Sequence, residues 1–205
     1  MSGAEIALLM VVALGVIVAI LSWLARRLDA LHKRVINSLA VLDAQLVHRA
    51  QLAMDLATSG ALDEASEVIL AQAAWEAGVG GERLVGENPR QEAPTLGTLA
   101  EIATRRGADR SAAESDLTRA LRTALGDDDD IAALAAHPQA APILAELRET
   151  TYRVQLARRF HNDAVEQVLR LRRAWLVRAA RLAGRASLPR KFDMDDEVFD
   201  GGPPR

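Results

Sequence analysis

The sequence predicts an all-α protein: one N-terminal transmembrane helix that continues into an elongated antiparallel bundle of about four main helices. Three observations predict it. Twenty consecutive residues, Ile6 to Ala25, carry no charge. Aromatic residues are only 3% of the chain, alanine and leucine dominate, and the β-branched and aromatic runs that build strands are missing. Beyond Arg26 the apolar residues recur at intervals of three and four, the period of a helix face.

The uncharged run is the first element. At 1.5 Å per residue it covers roughly 30 Å, the depth of a bilayer's hydrocarbon core. A cleaved signal peptide would want a basic n-region, a shorter apolar stretch and a small-residue cleavage site. Residues 1–5 contain no Lys or Arg, and Ser22-Trp23-Leu24-Ala25-Arg26 is a poor cleavage context, so the segment reads as a retained anchor. There is no cysteine, and residue 2 is Ser, so no lipidation signal is present. Arg26, Arg27, Lys33 and Arg34 crowd the far flank, whereas Glu5 marks the near one. The positive-inside rule then puts residues 1–5 outside the cell membrane, 6–25 across it, and the rest in the cytoplasm, with Trp23 at the inner edge. About 180 residues follow the span, enough for one domain with a core. They divide into a helical bundle over 26–186 and an acidic, mostly disordered tail over 187–205.

The bundle's first helix continues from the anchor. Leu28, Leu31, Val35, Leu39, Leu42 and Leu46 form its apolar stripe. Thr58-Ser59-Gly60 ends it. A second helix opens with Asp63 and Glu64, carboxylates favoured at the positive end of the helix dipole, and has Leu62, Val68, Ile69 and Trp75 as apolar members. Glycines and prolines between 78 and 94 predict a flexible loop. A short helical fragment follows near 95–104, stopped by Gly107. Ser111-Ala112-Ala113-Glu114 reads as a capping box that starts a helix ending at Gly126. Asp127–Asp130 lead into a short apolar piece over 131–136, closed by His137-Pro138. The last helix runs from about Pro142, a first-turn proline, to Ala183 with no Gly or Pro inside, and has Leu147, Val154, Val165, Val168, Leu169, Leu176 and Leu182 on its apolar side. The first and last helices should form the spine.

Few constellations suggest chemistry. The four histidines, His32, His48, His137 and His161, lack zinc-ligand spacing and read as packing or surface positions. Asp127–Asp130 could meet a hard cation, but the run has neither the spacing nor the central glycine of an EF-hand, and it reads as a solvated charge run favouring the next helix. The glycines at 78, 80 and 81 match no phosphate-loop pattern. No metal site, cofactor or catalytic motif is expected. The strongest feature is basic: Arg170, Arg172, Arg173, Arg178, Arg181, Arg185, Arg190 and Lys191, with no acidic residue among them. Such a stripe can hold anionic lipid headgroups or nucleic acid, or can be a solvated face balanced by the acidic tail. The anchor favours lipid over nucleic acid, because an antiparallel last helix would return this stripe to the inner leaflet.

Two segments resemble the signature of the LemA family, bacterial membrane-anchored helical-bundle proteins. Residues 34–49 read Arg34-Val-Ile-Asn37-Ser-Leu-Ala40-Val-Leu-Asp43-Ala-Gln45-Leu46-Val-His-Arg49, and fit the pattern R-V-x-N-x-x-A-x-x-D-x-Q-L-x-x-R throughout. Residues 157–165 are similar to A-R-R-x-Y-N-x-x-V, with His161 in place of the tyrosine. Phe192-Asp-Met-Asp-Asp196 resembles, more loosely, a Phe-acidic closing motif. Met54 stands where the family usually has proline and Thr151 where it has glutamate, and 78–136 shows little of the pattern. The resemblance implies an N-out anchor, a cytoplasmic bundle and no enzyme. It also suggests a structural polar layer: Asp43 paired with Arg158 or Arg159, and Asn37 and Asn162 hydrogen-bonding nearby. The functional expectation is a non-catalytic scaffold that binds copies of itself or an unknown protein. The alternative is an adaptor for anionic inner-leaflet lipid, acting through 170–191.

Overall fold

The computed structural model describes residues 2–79, 96–126, 128–180 and 188–197, with the side chains of 79, 96–108 and 176 excepted. Every regular element among them is an α-helix: α1 (Gly3–Ala57), α2 (Glu64–Val79), α3 (Leu96–Ala124), α4 (Asp128–Ala136), α5 (Ala140–Arg173) and α6 (Trp175–Ala179). The chain forms two compact units. One comprises Met1–Asn37 and Asn162–Lys191, the other Ser38–His161 and Phe192–Arg205.

In the first unit α1 begins as a helix long and apolar enough to cross a membrane. None of that apolar window is buried by the protein, and Leu8, Met10, Val11 and Leu14 are each more than 60% exposed. Further along α1, Leu24, Leu28 and Val35 share a buried cluster with Ala164, Val165 and Val168 of α5 and Val177 of α6. The long last helix expected over 142–183 is broken. The Ala174 N–H reaches back only three residues, to the Leu171 carbonyl at 3.1 Å, and the tightened turn separates α5 from α6. Neither Gly nor Pro lies there, so the sequence carried no breaker. Leu182 lies outside the described residues.

The second unit has an Ala/Leu core. Ala50, Ala53, Leu56 and Ala57 of α1 meet Leu70, Ala73, Ala74 and Ala77 of α2. Leu117, Leu121 and Ala124 of α3 complete it with Leu134 of α4 and Leu144 and Leu147 of α5. Small side chains bring helices close together, which is how α2 packs on α3. The larger apolar members of α2 face out: Val68, Ile69 and Trp75 are 64%, 52% and 61% exposed. The α1 stripe behaves as expected, with Leu42 and Leu46 buried against Val154 and Ala157 of α5.

Caps set the ends. After α1, the Thr58 hydroxyl donates to the Met54 carbonyl and Ser59 Oγ to that of Leu56, and Gly60 takes the left-handed φ of +69° that turns the chain. Asp63 Oδ1 accepts the Ala65 and Ser66 amides at 3.0 and 3.1 Å and caps α2. His137 Nδ1 accepts the Ala140 amide at 3.3 Å at the head of α5. The expected stop at Gly107 and the capping box at Ser111 do not occur, because α3 runs through both. One glycine costs a helix only about 1 kcal/mol, and Leu117 and Leu121 hold α3 in the core. The loop expected over 78–94 lies outside the described residues except for Gly78 and Val79, which finish α2.

Candidate functional site

Two arrangements stand apart from ordinary packing. The first, in the unit holding the apolar helix, is a basic and aromatic collar. Arg170, Arg173 and Arg178 are exposed and Arg172 half-buried, while Arg181 and Arg185 lie outside the described residues. Trp175 opens α6 with 74% of its surface exposed. Trp23 is 53% exposed, and the Arg27 guanidinium sits 5.2 Å from its ring centroid, a cation–π contact. Val177 and Leu24 belong to one cluster, so α6 lies at the level of α1 where the uncharged run ends. Lys191 is drawn off to Glu166, at 3.5 Å.

The second arrangement lies in the other unit and is built around Glu114. Its carboxylate is fully buried between two buried guanidiniums. Arg49 Nη2 of α1 donates to Oε2 at 2.7 Å and to the Glu114 carbonyl at 3.0 Å, and Arg49 Nη1 donates to Thr118 Oγ1 at 3.2 Å. Arg110, one turn before Glu114, brings Nε to 2.9 Å from Oε1, in an ion contact too poorly aligned for a hydrogen bond. Burying charges costs several kcal/mol per ion unless partners replace water, so this layer fixes how α3 sits on α1. Glu114 is thus a buried ion-pair partner, not a capping-box residue.

Of the tail, residues 188–197 are described. They have no regular secondary structure, and 192–197 lie against α1, α3 and α5. Phe192 and Met194 are buried among Leu42, Leu46, Val154 and Ala157. The Asp195 amide donates to Ser115 Oγ at 3.0 Å, and its carbonyl accepts Thr118 Oγ1 at 2.8 Å. Arg122 binds the Asp195 carboxylate at 2.9 Å and pairs with Glu197. Arg158 grips Asp196 Oδ2 through Nε at 2.9 Å and Nη2 at 2.6 Å, and Gln155 donates to the Asp196 carbonyl. Residues 198–205 lie outside the described residues.

The polar layer suggested by the sequence is therefore rearranged. Arg158 takes Asp196, and no ion pair joins Asp43 to Arg158 or Arg159. Asp43 is buried with Oδ1 lacking a hydrogen-bond partner. Asn37 and Arg159 are exposed, and Asn162 is half-buried. His161, buried, meets Ser38 Oγ through Nδ1 at 3.1 Å, so its ring is a packing residue with a polar contact. Sequence reasoning missed the Arg49–Glu114–Arg110 layer and the docked tail. Each had a signal: Glu114 falls on the stripe of Leu117, Leu121 and Leu125, and Phe192 and Met194 alternate with acids as in a half-buried extended segment.

Among the described residues no group of three or more His, Asp or Glu is placed to hold a metal ion. Comparison of the chain with protein-family models, curated proteins and solved structures finds no match.

Proposed function

We propose that this is a non-catalytic, membrane-anchored scaffold of the LemA kind. It crosses the cell membrane once at 6–25 with its N-terminus outside, and presents an antiparallel helical bundle in the cytoplasm to copies of itself or to a protein partner. The bare apolar surface of α1 carries the reading. A soluble protein rarely leaves so many contiguous large apolar side chains in water, and a lipid environment covers them. Antiparallel pairing is supported inside one unit, where Ser38 meets His161 and, ten residues later on α1, His48 meets Glu146. The outward Val68, Ile69 and Trp75 of α2 give the scaffold an apolar face to offer. Photocrosslinking in intact cells from a reactive residue at Trp75 should yield adducts with copies of itself or with one reproducible protein. Absence of any protein adduct from this face would overturn the reading.

The collar favours a second reading, an adaptor for anionic lipid. A lipid surface suits exposed arginines beside Trp23 and Trp175 at the end of an apolar span, since aromatic rings settle at the headgroup level and each basic residue there adds roughly 1 kcal/mol. A spin label on Trp175→Cys in full-length protein in anionic nanodiscs should report headgroup depth. Arg172→Glu/Arg173→Glu should release it to water. A label already in water before that change would reject lipid contact.

A further inference from the structure

We propose that the groove holding 192–197 is a peptide-docking site whose ligand in trans is the same segment of a second copy of this chain. The inference deepens the scaffold reading and rests on it.

The bound segment is held as a peptide ligand is held. It has no helix of its own, and the helices supply its anchoring groups. Phe192 and Met194 both enter the apolar floor, while Asp193 between them is exposed. Ser115, Thr118 and Gln155 read main-chain groups, the Asp195 amide and the carbonyls of Asp195 and Asp196. Those contacts ask only for a non-helical backbone. Arg122 and Arg158 then select acids at the two positions after Met194. The groove thus specifies an apolar residue, any residue, a second apolar residue and two acids, in a non-helical backbone.

Thr118 also links the floor to the buried layer, since it takes a hydrogen bond from Arg49 and gives one to the Asp195 carbonyl. The reading groups on α3 are therefore preset by the Arg49–Glu114 pair rather than moulded by the ligand. Every copy of the chain carries a segment of this chemistry. A segment tethered to its own groove competes at an effective concentration of order mM, so exchange requires copies crowded together. Confinement to one membrane supplies that crowding.

The test uses two differently tagged full-length chains solubilised from one membrane. One carries Arg122→Glu/Arg158→Glu, which spoils the groove and frees its segment. The other carries Phe192→Ser/Met194→Ser, which spoils the segment and leaves its groove open. The complementary pair should co-purify at least tenfold better than either variant with itself. If it does not, while both retain their helical circular dichroism, the proposal falls. If either variant loses helicity, a full-length chain carrying Phe192→Ala alone, whose own segment is weakened as a competitor, is titrated with a labelled synthetic peptide of residues 188–197. Saturable binding that weakens as salt is raised from about 0.1 to 0.5 M supports the site, and no binding overturns it. A groove that binds this peptide but refuses the donor chain would reject the second copy as ligand and point to an acidic segment of another protein. Protein adducts from Trp75 alongside a failed complementation would leave the scaffold standing and remove only the groove.

Discussion

At the scale of single residues, Glu114 carries the most. Its two arginines are buried with it, so removing the carboxylate takes a buried countercharge from both. Breaking a buried pair in this way costs about 3–5 kcal/mol. Glu114→Gln should lower the urea midpoint of unfolding by a corresponding amount, and Arg110→Met should do less harm, because Glu114 keeps its hydrogen bond to Arg49. Asp63 is a different case, on the surface. The Ser66 side chain, then the Ser66 and Ala65 amides, hold its carboxyl below the ordinary 3.8. A carboxyl depressed in the folded state stabilises fully above its unfolded value, and the contribution is lost as pH falls through the folded value. Thermal melts of wild type and Asp63→Ala should therefore differ at neutral pH and converge in acid below 3.8. A gap that persisted unchanged there would deny the cap its charge.

At the scale of elements, two glycines should respond in opposite directions. Gly60 needs its positive φ, and a side chain in that conformation costs roughly 1–2 kcal/mol, so Gly60→Ala should lower the melting temperature. Gly78 lies inside α2, where an added methyl would meet Ala50 Cβ at an ordinary 3.7 Å. Gly78→Ala should raise it, by up to about 1 kcal/mol of stability. The same elements show what a sequence can reveal. The α1 stripe was legible because Leu28, Val35, Leu42 and Leu46 at helical spacing lie on its buried face. On α2 that logic does not hold. Alanine is too small to stand out in a pattern of apolar residues, yet Ala73, Ala74 and Ala77 are the packed side and Trp75 is not. The capping box at Ser111 misled for a related reason: a local motif was outweighed by contacts with Arg49, 65 positions from Glu114 and 69 from Thr118. The docked segment was hidden because acids predict disorder until the arginines that meet them are known to be close.

For the whole molecule, topology is the outcome to establish. The chain has no cysteine, so single ones report without background. On the proposed orientation, Ser2→Cys should react with a membrane-impermeant maleimide in intact cells, and Trp75→Cys should react only after permeabilisation. The reverse pattern would invert the proposed orientation. The candidate sites were legible to unequal degrees. Basic residues near an apolar run are visible as composition, so the collar's arginines were found in advance. Trp175 gained meaning only when Val177 was seen to share a cluster with Leu24. The peptide groove is assembled from α1, α3 and α5, and no linear pattern joins Arg122 to Arg158.

The alanines of the core reverse the usual map of mutational tolerance. Truncation finds little to remove where side chains are already methyl groups, so an alanine scan would pass over Ala53, Ala74 and Ala77 in silence. Enlargement is what those positions cannot absorb, because overpacking forces neighbours off their rotamers or moves backbone. In drift under selection, the changes purged here would be Ala to Val or Leu, substitutions that most similarity scales grade as mild.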